Sequence, residues 1–173
     1  MDTISITFVN SNEEFKNQFL IEKEYLKSLL GDYIIRISHI GSTAIKNIRT
    51  KPIVDILIES NQKDFQFIKV ILLKDNYILM SGNVNKMSFN KGYTINGYDK
   101  NVFHIHVKKY DDCDELYFRD YLIDNPDVVK QYENLKYELY NKYNPNRDLY
   151  TEGKSKFIKE IVKLSKKEYK DRY

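Results

Sequence analysis

One cysteine, three prolines and six glycines in 173 residues leave several kinds of protein out at once. A lone thiol, Cys113, cannot make an internal disulfide and suits a reducing compartment. So little proline and glycine, beside 42% hydrophobic residues, excludes a collagen-like or disordered chain. Long apolar runs are missing too. The most apolar stretch, FIKVILL, is far shorter than the ~20 residues that cross a bilayer, so no membrane partner is expected. The opening MDTISITFVNSNEEF lacks a basic region followed by an apolar one, so no secretory signal is read there and a cytoplasmic location is expected. Charge of one sign is equally scarce. The 28 Lys and Arg exceed the 25 Asp and Glu by only three, which argues against nucleic acid as a partner, since such binding shows a clustered basic face. Asp111, Asp112, Asp114 and Glu115 surround Cys113 and should raise its pKa, against a reactive thiolate.

The patterning that is present changes character once along the chain. SNEEFKNQFLIEKEYLKSLLG reads as a helix, with Ser11 and Glu14 as a capping box, Phe15, Phe19, Leu26 and Leu30 at helical spacing, and Gly31 as its stop. YIIRISHI alternates as a strand with Ile35, Ile37 and His39 on one face. STAIKNI reads as a short helical turn and PIVDILIE as a second strand. DFQFIKVILLKD follows as a helix with Asn61 as its candidate cap. NYILMSG, NKMSFNKG and NVFHIHVKK read as further strands around turns at Gly82, Gly92 and Gly97. After Cys113 everything reads as helix, with breaks at Pro126 and Pro145. Strands first and helices afterwards predict an α+β fold, in which a mixed β-sheet flanked by helices carries a packed C-terminal helical region. One domain over residues 1–173 is expected, with the sheet core at about 1–110 and the helical tail at about 111–173.

An acidic residue inside IVDILI is costly unless something pairs with it. Strand alternation puts Ile53, Asp55, Leu57 and Glu59 on one face and Val54, Ile56 and Ile58 on the other. The same rule places His104 and His106 together, opposite Phe103, Ile105 and Val107. If the two strands are neighbours, Asp55 and the histidines converge. Same-face side chains one pleat apart sit roughly 6.5–7 Å from each other, near enough for two imidazoles to share a ligand or a metal. A His-x-His pair facing solvent, and an Asp serving only as a cap, are the plain alternatives. Upstream, Gly41 permits a tight turn, and Ser42 and Thr43 can offer backbone N–H groups and hydroxyls to phosphate oxygens.

The ordered set HIGSTAIKNIRTKPIVDILIE, HIHV, FRDYL, LK and YTEGKSKFI resembles the bacterial GrpB family, over nearly the whole chain from about Ile6 to Ile161. The resemblance implies a nucleotidyltransferase-like fold, in which a Gly-Ser turn meets a nucleoside triphosphate (NTP) and strand carboxylates hold Mg²⁺. Matched by position, Gly41 and Ser42 stand at the phosphate-contacting turn and Asp55 at the first metal carboxylate. The second acid of that superfamily falls two residues on, where this chain has Leu57, and the later-strand acid falls where it has HIHV. Glu59 lies two pleats from Asp55, roughly 13 Å away, too far to share one ion unaided. One Asp with two His suits Zn²⁺, Mn²⁺ or Fe²⁺ better than Mg²⁺.

The expectation is therefore a nucleotidyltransferase-like protein acting on an NTP and a small-molecule or protein acceptor. Asp55, His104 and His106 are the candidate catalytic and metal residues, for Mg²⁺ or Mn²⁺ with Zn²⁺ as a further candidate. Gly41, Ser42, Thr43 and Lys51 are the candidate phosphate contacts. His39, Arg119 and Lys154 are candidate substrate contacts. Arg119 and Asp120 are adjacent on a helix and are expected to face different directions. Lys136 and Lys154 match family positions where a solvated surface is the ordinary outcome. Two alternatives stand beside this reading: a catalytically degenerate nucleotide-binding module, and a metal-dependent hydrolase built on Asp55, His104 and His106.

Overall fold

The computed structural model describes residues 8–173 apart from Asn96, Pro145 and Asp171 and the side chain of Arg147. A two-residue strand, β1 (Val9–Asn10), leads into helix α1 (Glu13–Leu30). Asn12 caps that helix, its Oδ1 accepting the Glu14 N–H at 2.9 Å. The expected capping box on Ser11 is thus displaced by one residue. Ser11 is buried and its hydroxyl donates to the Thr43 carbonyl at 3.2 Å, so it cannot serve the helix end. Phe15, Phe19, Glu22, Leu26 and Leu30 recur every three or four positions and form the buried stripe.

Next come β2 (Arg36–Ile40), a single 3₁₀ turn at Ser42–Ala44, the short β3 (Arg49–Thr50) paired with β1, and β4 (Val54–Ser60). Ile35 precedes the strand and is exposed, so the expected face holds only for Ile37 and His39. Helix α2 (Phe65–Lys74) follows, without a side-chain cap from Asn61. Then come β5 (Ile78–Gly82), β6 (Lys86–Thr94) and β7 (Gly97–Lys109). Gly82 ends β5 at the turn into β6, whereas Gly92 lies within β6 and not in a turn, because the β6–β7 hairpin closes later, at Thr94 and Gly97. The helical half is α3 (Asp114–Asp124), α4 (Pro126–Tyr143), α5 (Arg147–Gly153) and α6 (Ser155–Glu168). Pro126 is the first residue of α4, where a missing N–H costs nothing. The break expected at Pro145 lies outside the described residues.

The five-stranded sheet runs β2-β4-β7-β6-β5 and is mixed: only β4 and β7 are parallel, with Asp55 opposite His104 and Leu57 opposite His106. One face carries Val54, Ile56, Ile58, Ile105 and Val107 into the core beneath α1 and α2. Near its centre the other face carries Leu57 and Ile40, covered by Leu116 and Tyr117 of α3. A third apolar cluster joins Ile45 and Ile48, after the Ser42 turn, to Phe118, Leu122, Tyr132, Ile161 and Val162 of the helical half. That contact fixes the Ser42 turn against α4 and α6, and it is what builds the site.

Candidate functional site

Ile40 ends β2 beside Asp55, and the chain then turns at Gly41 with φ +71° and ψ −174°, a region open essentially to glycine alone. The absence of a side chain there lets the Asp55 carboxylate approach: a Cβ on Gly41 would stand 2.4 Å from Asp55 Oδ2. Two contacts hold the other carboxylate oxygen, with His104 Nδ1 and His106 Nε2 each 3.4 Å from Asp55 Oδ1. Burial alone would raise the Asp55 pKa, but the His104 and His106 contacts outweigh it and hold the carboxyl well below the usual range. The two histidines differ in their second nitrogens. His104 Nε2 also meets the Tyr93 hydroxyl at 2.8 Å, so both of its nitrogens are engaged.

A cavity of about 880 Å³ opens over this group. Gly41, Ser42, Asp55 and His106 border it, with Lys154, the residue just before α6, close by. Burial lowers the Lys154 pKa, against the pull of the Asp55 charge. The lysine's ammonium lies 4.6 Å from the Tyr150 ring centroid, and Lys51 approaches the same ring at 4.6 Å. Lys51 is not among the residues bordering the cavity. Tyr132, whose hydroxyl burial pushes far above its ordinary pKa, has Ser42 as a polar neighbour and forms part of the wall.

His39, Arg119 and Thr43 lie together, away from this opening. They border a smaller cavity of about 300 Å³ on the α1 side. The Thr43 hydroxyl donates to the Ile53 carbonyl at 3.2 Å and accepts from His39 Nε2 at 3.0 Å, the tautomer this network requires. That hydroxyl is spent on holding the turn. His39 is buried and stacked on Phe19 at 4.8 Å, and burial is the main reason its pKa falls to about 4. Arg119 donates to the His39 carbonyl at 2.8 Å and, contrary to expectation, pairs with its neighbour Asp120 at 2.7 Å. A long guanidinium side chain can fold back where helix geometry keeps the two Cβ atoms apart.

Lys136 is buried rather than solvated: it donates to the Arg49 carbonyl, and burial lowers its pKa to about 8. Glu59, fully buried, takes two hydrogen bonds from Arg36 and one from the Asp111 N–H at 3.1 Å. It is a structural ion pair, remote from the cavity lining. Burial, more than the flanking acids, raises the Cys113 pKa.

The metal expectation meets a specific obstacle. Among the described residues no group of three or more His, Cys, Asp and Glu side chains is placed to hold an ion. His104 has no nitrogen to spare, and both histidines point at one Asp55 oxygen. The three-ligand centre does not fit these side chains. A single carboxylate of the kind that meets an ion carried in by phosphates does fit.

Sequence reasoning missed the lysines at the cavity mouth, Lys86, Lys108, Lys159, Lys163 and Lys166. A signal was present for three of them, the four- and three-residue intervals of Lys159, Lys163 and Lys166 on one helix face.

A mixed sheet flanked by helices, with a Gly-Ser turn set against a strand carboxylate, defines the class of fold. The particular family follows from comparison. The GrpB protein family profile matches residues 5–164, and the chain belongs to the GrpB family. It is 36% identical over 164 residues to the glutamate-rich protein GrpB of Alkalihalophilus pseudofirmus, covering 91% of this chain and 94% of that one. It is 33% identical to the UPF0157 protein YqkA of Bacillus subtilis, covering 93% of this chain but 47% of that longer one. Among solved structures, the conserved protein GrpB from Enterococcus faecalis superposes with a TM-score of 0.80 at 27% identity, covering 94% of this chain and 99% of that one. No helix among the described residues is long and apolar enough to cross a membrane.

Proposed function

We propose that this chain is a nucleotidyltransferase-like protein that binds a nucleoside triphosphate in the large cavity and transfers its nucleotidyl group to an acceptor hydroxyl. One observation carries the reading: Gly41, Ser42, Asp55, His106 and Lys154 border a single space of about 880 Å³. The 3₁₀ turn at Ser42 is three residues long and supplies little helix dipole, so Lys154 provides most of the attraction for phosphate. In the transfer, the acceptor oxygen forms a bond to the α-phosphorus as the bond from that phosphorus to the β-bridging oxygen breaks. Pyrophosphate leaves with the electron pair, and the acceptor proton passes to a base. His106, with Nε2 held by Asp55, keeps Nδ1 as the basic nitrogen for that proton. Lys154 is poised to neutralise charge on the phosphates. A divalent ion arriving with the nucleotide would add charge neutralisation, with Asp55 as its protein carboxylate.

A second reading, a nucleotide-binding module that transfers nothing, is favoured by Leu57. The superfamily's second acid would stand at this position, and here it is fully buried against Ile40 and Leu116. Thermal shift with ATP, GTP, CTP and UTP, in EDTA, Mg²⁺ or Mn²⁺, tests binding. At least one nucleotide should stabilise the protein, and Lys154→Ala should remove most of the effect. Silence with all four nucleotides in every condition sinks both readings. A nucleotide labelled at its α-phosphate then separates them. Label appearing on molecules of a metabolite extract supports transfer, and binding without labelling supports the module.

A further inference from the structure

The lysines at the cavity mouth carry a distribution of charge that the nucleotide reading does not use. Six lysines border the cavity, Lys86, Lys108, Lys154, Lys159, Lys163 and Lys166, against the three carboxylates of Asp55, Asp114 and Glu115. The excess of three equals the formal charge of the entire 173-residue chain, +3, so the residues outside this lining sum to no net charge while the opening itself is locally positive. Two of the outer lysines are already paired. Lys108 meets Asp112 at 2.7 Å and Glu115 at 3.0 Å, and Lys166 meets Asp114 at 2.5 Å. Lys86, Lys159 and Lys163 have no carboxylate within ion-pair distance among the described residues, although they come from two different elements, β6 and α6.

Their place along α6 matters. From Ser155, where the helix begins, Lys159 lies about 6 Å and Lys163 about 12 Å further along the axis. A phosphate seated at Gly41, Ser42 and Lys154 therefore leaves Lys163 beyond it. Ile158 and Val162, on the same stretch, give the cavity apolar wall between the cations. This is the arrangement of a second anionic group held at a distance from the first, with an uncharged body between.

We infer that Lys86, Lys159 and Lys163 form an anion subsite for the acceptor, and that the acceptor is a small molecule bearing a phosphate ester. The inference rests on the proposed nucleotide site for the meaning of "acceptor", but the subsite can be measured by itself. The probe is inorganic phosphate, titrated against the full chain by ³¹P NMR line broadening and calorimetry, with and without saturating ATP. Wild-type protein should bind phosphate while ATP is present. Lys159→Ala/Lys163→Ala should weaken that binding about tenfold, the combined effect of two exposed charge pairs. The thermal stabilisation given by ATP should stay as in wild type in the same variant.

Phosphate wholly displaced by ATP, or phosphate binding in the presence of ATP that is indifferent to both substitutions, overturns the subsite and leaves the nucleotide reading standing. Phosphate binding that depends on Lys159 and Lys163 in a protein that ignores every nucleotide supports the subsite and overturns the nucleotide reading. As a further arm, glucose 6-phosphate and glucose are compared at saturating ATP. Binding of the ester alone supports a phosphate ester as the recognised group. Equal binding of both sugars overturns it.

Discussion

Gly41→Ala is the sharpest perturbation of this site, because two separable costs meet at one atom. The backbone there, φ +71° and ψ −174°, lies in a region where a residue with a Cβ pays about 1–3 kcal/mol. The new methyl group would also stand 2.4 Å from Asp55 Oδ2 and 3.0 Å from its Cβ and Cγ. The carboxylate must then swing away, loosening its 3.4 Å contacts to His104 and His106, and hydrogen bonds to a charged group are worth about 1.5–3 kcal/mol each. A total loss of about 3–5 kcal/mol is expected, which for a chain of this size lowers Tm by on the order of 10 °C. Urea unfolding followed by circular dichroism measures it, with the midpoint moving at constant m-value. Repeating the substitution in an Asp55→Ala background removes the carboxylate and leaves only the Cβ contact at 3.0 Å, so the cost should fall toward the backbone share of about 1–3 kcal/mol. An equal cost in both backgrounds, or a Gly41→Ala protein within about 0.5 kcal/mol of wild type, would refute the close approach of Gly41 and Asp55.

Arg36→Ala should destabilise by about 3–5 kcal/mol, because it strands the fully buried Glu59 without its guanidinium; denaturant unfolding showing under 1 kcal/mol would mean that Glu59 finds water or another donor. His39 gives a pH signature. Its folded pKa, about 4, is below the ordinary 6.5, so the unfolded chain takes up the proton first and stability falls as pH drops from about 6.5 toward 4, by up to about 3 kcal/mol. His39→Gln should flatten that limb. Asp55, held low by its histidines, gives up its own contribution only as pH falls below the usual carboxylate range, so the two windows separate. At the start of α1, Asn12→Ala should cost about 1 kcal/mol through the lost cap. Ser11→Ala should leave the helix end intact and act through the Thr43 carbonyl instead, a distinction that amide exchange at Glu14 and Ala44 reads directly.

On β4 and β7 alternation read the faces correctly, although it misplaced Ile35, which lies exposed before β2. Period-two spacing put Val54, Ile56, Ile58, Ile105 and Val107 on the core face and Asp55, His104 and His106 on the other, and each lies there. A pleat leaves no other choice. The helical stripe of α1 was legible for the same kind of reason, while its cap was not. Asn12 and Ser11 are both good caps, and the choice fell to Asn12 because the fold spends Ser11 on Thr43, thirty-two residues away. The spacing of Arg119 and Asp120 misled in the opposite sense, since backbone geometry says nothing about where a flexible guanidinium ends.

The sequence by itself determined which strand faces are apolar, that the chain is helical after Cys113, and that a Gly-Ser turn precedes an Asp set inside a strand. These follow from local periodicity and need no knowledge of neighbours. Only tertiary structure decided that β4 runs parallel beside β7, so that Asp55 meets both histidines. It alone turned Thr43, His39 and Arg119 toward a second, smaller cavity and left the Ser42 hydroxyl near the larger one. It also gathered lysines from β6, β7 and α6, up to eighty residues apart in the chain, around one opening. A lysine in a sequence carries the same charge wherever it falls. Whether that charge meets solvent, a carboxylate or an open cavity depends on which helix packs over which strand, and long-range burial of Ile45, Ile48, Phe118 and Val162 makes that choice here.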